Sequence, residues 1–311
     1  MRSQAVIFEK PGVLDCRAVD LREPEDGDIV VKSLWSGIST GTERLLWTGD
    51  MPPFPGLDYP LVPGYETVGE IVSAGAASGH TVGDTVFVPG CSAYTEVRGL
   101  FGGTASHLIT DGARSVVLPQ KTGREGVLLA LAATAYHALV AGPLPTLIAG
   151  HGVLGRLMAR LTIALGGVAP TVWETNKARR DGAAGYPVID PSEDDRRDYG
   201  AIVDVTGDAA IVDALISHLR PGGEICLAGF YSKRVSFDFP PAFMKEARLR
   251  VAAEWKPSDL AGVLKLLESG ALSLDSLITH EMPVGDAAGA YETAFGDADC
   301  LKMILNWRDI G

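Results

Sequence analysis

The sequence predicts an α/β protein in two parts, a β-rich first portion followed by a doubly wound parallel sheet. Three observations lead there. Up to about residue 125, short β-prone runs are separated by Gly, Pro and Asp. Beyond it, helical and strand-like segments alternate, the rhythm of a parallel sheet. Within that second part, Gly150, Gly152 and Gly155 stand between an apolar strand and a helical run.

The elements follow in order. Runs 29–34 and 67–73 read as strands, and 52–56 and 60–64 read as loops, because proline cannot donate to a sheet ladder. Helix 127–140 leads to strand 146–149, helix 153–165 closed by Gly166 and Gly167, strand 170–174, a helix near 177–183, and strand 186–190. Strand 201–205, helix 209–219, strand 224–229, strand 248–254 and helix 258–269 come next, before a strand-like tail at 302–307. The expected domains are therefore 1–125, 126–270, and a C-terminal segment 271–311. Gly126 to Gly155 lacks any Asp, Glu, Lys or Arg, long enough to suggest a membrane span. Pro143, Pro145 and five glycines interrupt it, so it reads as a buried helix, turn, strand and loop.

At 311 residues the chain can bury two ordinary cores, and 46% hydrophobic with 21% charged residues is a globular composition. A net charge of −12 excludes a nucleic-acid partner, which requires a basic face. Cys16, Cys91, Cys226 and Cys300 are widely separated, and no long apolar stretch follows Met1. Together these imply free thiols in a reducing cytoplasm.

The glycine segment carries the first chemistry. Gly150 allows a tight turn, Gly152 lets backbone approach a phosphate, and Gly155 lets helix and strand pack closely. With Val153 and Leu154 they open a helix whose free N–H groups and positive dipole end face an anion. Glu174 lies 19 residues past Gly155, near the roughly 20 expected for an acid on the ribose of a dinucleotide. A carboxylate there hydrogen-bonds the 2′-hydroxyl and repels a 2′-phosphate, favouring NAD; Arg179 and Arg180 leave a case for NADP. Thr206 and the pair Gly229 and Phe230 fall at strand carboxyl ends, where such sheets bind ligands.

Four segments precede this loop in order: Ser36-Gly37-Ile38-Ser39-Thr40-Gly41-Thr42-Glu43, Val62-Pro63-Gly64-Tyr65-Glu66, Val82-Gly83-Asp84-Thr85-Val86, and Ala133-Thr134-Ala135-Tyr136-His137-Ala138-Leu139. On these the whole chain resembles the medium-chain dehydrogenase/reductase superfamily. The resemblance implies a GroES-like catalytic domain, a Rossmann domain and a C-terminal tail that returns to the first domain. It implies adenosine-ribose contacts at Glu174, Asn176 and Arg179, Thr134 near the nicotinamide, and Gly229 and Phe230 beside it. It also implies a homodimer. The zinc ligands of the superfamily do not carry over. Ser39 or Thr40 stands in the first place, Tyr65 in the second and Ala132 or Ala133 in the third, whereas catalytic zinc requires three protein ligands. This reads as a zinc-free member.

Met51-Pro52-Pro53-Phe54-Pro55-Gly56, Arg98-Gly99-Leu100-Phe101-Gly102-Gly103, Val172-Trp173-Glu174-Thr175-Asn176, Pro241-Ala242-Phe243-Met244-Lys245-Glu246 and Ala252-Ala253-Glu254-Trp255 narrow the match. They resemble the family of 3-hydroxyethyl bacteriochlorophyllide a dehydrogenases. That resemblance implies NAD-dependent oxidation of the 3-(1-hydroxyethyl) group of a chlorin or bacteriochlorin to 3-acetyl, in bacteriochlorophyll biosynthesis. Without zinc, the hydroxyl proton still requires an acceptor. The candidates are Ser39 and Thr42, with Tyr65 or Glu66 positioning the relay. Trp47, Met51, Phe54 and Phe101 are expected to line a slot for the flat ligand or to anchor their loops, with Arg44 or Lys245 for its propionate. The competing expectations are a zinc-free NAD(P)H-dependent reductase of enones or quinones, and a non-catalytic dinucleotide- or pigment-binding protein.

Overall fold

A computed structural model describes residues 1–309. Two compact units are present: Met1–Ala130 together with the chain from Leu277 onward, and Leu131–Ser276.

The first unit is built on antiparallel strands. Asp28–Ile38 is its spine, pairing with Thr67–Ala74 on one side and Met303–Asn306 on the other. That second pairing sets Met303 opposite Ile38 and Asn306 opposite Trp35, so the end of the chain completes this sheet. Arg2–Lys10 and Val13–Asp20 form a hairpin in a second sheet. Here Leu61–Val62 is a short strand between Phe8 and Gly99, where the sequence reading expects a loop. Pro60 and Pro63 only bracket it; Leu61 and Val62 keep their N–H groups and are fully buried. A helix, Thr42–Thr48, also stands where only strands and loops are expected, bounded by Gly41 and by Gly49 at φ +79°. Phe8, Ile38, Leu46, Tyr291 and Trp307 share one core, which joins the spine, this helix and the C-terminal helix Ala287–Gly296.

The second unit holds a six-stranded sheet, parallel throughout, in the order Val188–Ile189, Thr171–Trp173, Leu147–Ala149, Tyr199–Asp204, Leu219–Leu227, Arg248–Val251. Strand order reverses between Leu147–Ala149 and Tyr199–Asp204, and ligands bind outside the carboxyl ends at such a reversal. Leu129–Val140 and Val153–Ala164 form the helices expected there. The helix expected near 177–183 does not form. One 3-10 turn, Lys177–Arg179, takes its place, because Gly182, Gly185 and Pro187 break the run. Among the described residues no helix is long and apolar enough to cross a membrane.

Candidate functional site

The phosphate loop leaves Leu147–Ala149 through Gly150, whose φ of +101° is a turn geometry that favours glycine. A Cβ on Gly155 would sit 1.9 Å from the Gly150 carbonyl oxygen, so helix and loop approach as only glycine permits. Gly152 caps the helix Val153–Ala164, and a Cβ there would meet nothing within 4 Å. That open approach suits an anion facing the helix N–H groups of Val153 and Leu154. Glu174 is fixed from two sides. Its Oε2 accepts from the His151 backbone N–H at 3.2 Å and its Oε1 from Asn176 N–H at 2.8 Å. The Asn176 side chain in turn accepts from Ala178 N–H and starts the 3-10 turn carrying Arg179. At the carboxyl end of Tyr199–Asp204, Asp204 accepts from Thr206 N–H at 2.9 Å and from the Tyr231 hydroxyl. A Cβ on Gly229 would lie 2.9 Å from Gly207 N, and Phe230 next to it is exposed. Thr134 is half-buried on Leu129–Val140. These groups suit a dinucleotide: acceptors for ribose hydroxyls, donors and open space for phosphates.

In the first unit the chain turns at Ser39 into the helix Thr42–Thr48. Ser39 Oγ and the Tyr65 hydroxyl lie 2.7 Å apart, and Thr42 also hydrogen-bonds the phenol. Burial and the Glu66 carboxylate push the Tyr65 phenol well above its ordinary pKa. Tyr65 stands edge-on to Phe101, ring centroids 5.3 Å apart. Ser39, Thr42 and Tyr65 thus form one hydroxyl cluster. Glu66, next in the chain, bonds elsewhere. Its carboxylate meets Lys302 Nζ, which also donates to the Ile38 carbonyl at 3.0 Å. Both side chains are sealed from solvent, and burial raises Glu66 while Lys302 lowers it. Gly37 passes so close that a Cβ would stand 2.1 Å from the Glu66 carboxylate.

The sequence reading misses three residues here. Lys302 was visible as a single charge beside an apolar run. Glu43 and Tyr291 gave weaker signals. Glu43 Oε1 accepts from Ser39 N–H at 3.0 Å and Oε2 from the Tyr291 hydroxyl at 2.6 Å. Burial outweighs both donors and pushes this carboxyl from 4.5 up to about 7. The folded protein therefore holds that proton more tightly than the unfolded chain does. The stability it contributes is complete below pH 4.5 and falls away as the pH rises to about 7. Glu43→Gln is expected to flatten this decline, on the order of 2–3 kcal/mol, in urea unfolding compared at about pH 5 and about pH 8.

For two of the four apolar residues the packing favours anchoring over the slot. Met51 is buried in the core, and Trp47, which lies on the helix Thr42–Thr48 and not on a loop, packs edge-on against Phe8 at 5.4 Å, so both anchor this segment. Phe54 is exposed, and Phe101 is half-buried beside Tyr65. Lys245 Nζ is engaged by the Ser217 and Leu219 carbonyls, each at 2.7 Å, whereas Arg44 is exposed.

Residues 25–120 match the alcohol dehydrogenase GroES-like domain. The 2R,3R-butanediol dehydrogenase of Bacillus subtilis has the same fold, with a TM-score of 0.84 at 20% identity over 98% of this chain and 99% of that one. The 2-desacetyl-2-hydroxyethyl bacteriochlorophyllide A dehydrogenase of Rhodobacter capsulatus is 56% identical over 99% of both chains. The enzyme of that name from Cereibacter sphaeroides is 57% identical, again over 99% of both. The chain belongs to the 2-desacetyl-2-hydroxyethyl bacteriochlorophyllide A dehydrogenase family, within the medium-chain dehydrogenase/reductase superfamily.

Proposed function

We propose that this dehydrogenase oxidises the 3-(1-hydroxyethyl) group of a chlorophyllide or bacteriochlorophyllide to 3-acetyl, with NAD as acceptor, in bacteriochlorophyll a biosynthesis. The observation that carries this reading is the Ser39–Tyr65 hydroxyl pair, 2.7 Å apart, in a chain more than half identical to two hydroxyethyl bacteriochlorophyllide dehydrogenases. The carbinol carbon loses hydride and its oxygen loses a proton. NAD, when bound, supplies the hydride acceptor. The chain's own residues handle the proton and the binding.

Ser39 or Thr42 takes a hydrogen bond from the substrate hydroxyl, and the proton passes along the pair with Tyr65, since each hydroxyl both donates and accepts. Glu66 supports this cluster through the sheet, its charge matched by Lys302. The reading needs no zinc. A catalytic zinc takes three protein ligands, and among the described residues no three His, Cys, Asp or Glu side chains are grouped to hold a metal ion.

Glu174 and Asn176 would meet the adenosine ribose, and Gly150, Gly152, Val153, Leu154 and Gly155 the pyrophosphate. Thr134, Thr206, Gly229 and Phe230 would bound the nicotinamide half, and Arg179 the adenosine edge. Preference for NAD over NADP is supported by Glu174 and by Arg180. The Arg180 guanidinium is already committed to the Glu174 and Thr175 carbonyls and to Asp190, so it is not available to a 2′-phosphate. The enzyme acts as a cytoplasmic homodimer. Exposed Phe239, Phe243, Met244 and Val251 beside the edge strand Arg248–Val251 support association.

Purified protein given 3-hydroxyethyl bacteriochlorophyllide a and NAD is expected to release NADH and a red-shifted acetyl product, with no loss on chelation. Turnover with NADP alone would overturn the NAD reading. Binding of NAD and pigment without NADH release would overturn the catalytic one.

A further inference from the structure

From Glu174 to Pro187 the chain connects two parallel strands without an α-helix. Such a crossover is usually a helix, which satisfies its own carbonyls. Here the carbonyls of Arg179, Asp181 and Gly182 find their donors in one side chain. Arg156, on the helix that follows the phosphate loop, donates through Nη2 to Arg179 at 3.2 Å and to Asp181 at 2.7 Å. Through Nη1 it reaches Gly182 at 3.1 Å, and through Nε the His151 carbonyl at 3.2 Å. It is nearly buried, and among the described residues no carboxylate stands within ion-pair distance of it. The planar fork of a guanidinium spreads five donors over three nitrogens and so reaches four carbonyls on separate segments; an ammonium has three donors on one atom and cannot span them.

His151 makes the second tie. A carbonyl only accepts, so Nδ1 carries the proton it donates to Arg179 at 2.6 Å, leaving Nε2 to accept from the Tyr186 hydroxyl at 3.0 Å. The ring is fully buried, edge-on to Tyr186. Its backbone N–H is the one that holds Glu174. Phosphate loop, ribose acid and the loop beyond it are therefore one hydrogen-bonded piece.

We propose that Arg156 and His151 are positioning residues for the adenosine half of the dinucleotide, strapping the 177–186 loop to the phosphate loop so that Glu174 and Asn176 are in place before the cofactor arrives. The proposal rests on the NAD reading above. Ordering the loop is then complete on folding and does not draw on binding energy. Without the strap, the cofactor must order the loop itself.

Three variants test it. Arg156→Gln removes the fork, Arg156→Lys keeps the charge alone, and Gly182→Ala sets a methyl 2.4 Å from Arg156 Nη1 at a φ of +79°. Trypsin cleavage after Lys177, Arg179 and Arg180, followed by mass spectrometry without cofactor, is expected to accelerate in Arg156→Gln and Gly182→Ala, and less in Arg156→Lys. In the same order, the calorimetric Kd for NAD is expected to rise, by about tenfold for Arg156→Gln. The kinetic loss should fall on KM for NAD and spare kcat. Should Arg156→Gln fail to fold, Gly182→Ala and Arg156→Lys carry the comparison. A loop opened to trypsin with an unchanged Kd overturns the proposal. A wild type that binds NADP in place of NAD overturns the cofactor reading alone, and the Kd series is then read with NADP.

Discussion

Lys302→Met is expected to lower the unfolding free energy of the first unit by about 3–5 kcal/mol, because it strands a buried carboxylate without its cation. Glu66 has no solvent exposure, and Lys302 Nζ supplies its one charged partner. One of its oxygens, Oε1, already lacks a hydrogen-bond partner. Loss of the ammonium leaves the acid to bind a proton or to remain charged in an apolar sheet, and either costs far more than a surface pair would. Against a typical total of about 5–15 kcal/mol, that is enough to threaten folding at growth temperature. Urea denaturation reads the loss. The double variant Glu66→Gln with Lys302→Met should recover much of it, since replacing both partners removes the stranded charge. A loss below about 1 kcal/mol for Lys302→Met would mean that Glu66 is already neutral in the folded protein.

The same pair shows what the sequence could and could not convey. A lysine beside the apolar run 303–305 signals a buried partner, yet that partner lies 236 residues away, and no local pattern identifies it. The phosphate loop was legible because its requirements are local: a strand, a turn at Gly150, and a glycine where helix meets loop. The loop beyond Glu174 was not. Asn176 through Arg180 has the cap and composition of a helix start, but Gly182, Gly185 and Pro187 end the run, and a donor from another element, Arg156, serves the carbonyls left over. The helix Thr42–Thr48 was overlooked for the opposite reason. Its tertiary burial of Leu46 and Glu43 decides its existence, and seven residues are too few for periodicity to register. Trp47 and Met51 illustrate a third limit. Apolar side chains in or beside a loop-like segment serve equally for ligand contact and for anchoring, and only packing against Phe8 and its neighbours distinguishes the two.

Loss of the hydroxyl pair should be the largest effect on catalysis. Tyr65→Phe and Ser39→Ala are each expected to lower kcat by about a hundredfold, within the range for a positioned proton-transfer group, with KM for the pigment little changed. The expectation follows from the proton's route. Glu66 is held by Lys302 and Glu43 by Ser39 N–H and Tyr291, so neither carboxylate is placed to take the hydroxyl proton directly. The phenol stays neutral at working pH, since burial and Glu66 both oppose its ionisation. It therefore cannot act as a fixed base; it can only pass a proton while receiving another, with Ser39 2.7 Å away. Such a relay predicts that kcat rises with pH as solvent accepts the proton more readily, and that a solvent isotope effect present in the wild type shrinks in Tyr65→Phe. Circular dichroism should match the wild type, and thermal melts should fall only modestly, because each single variant leaves one neutral hydroxyl without its partner, at about 1–3 kcal/mol. If both single variants turn over at near wild-type rates with NAD bound, the proton leaves by another route and the role given to these two hydroxyls is wrong.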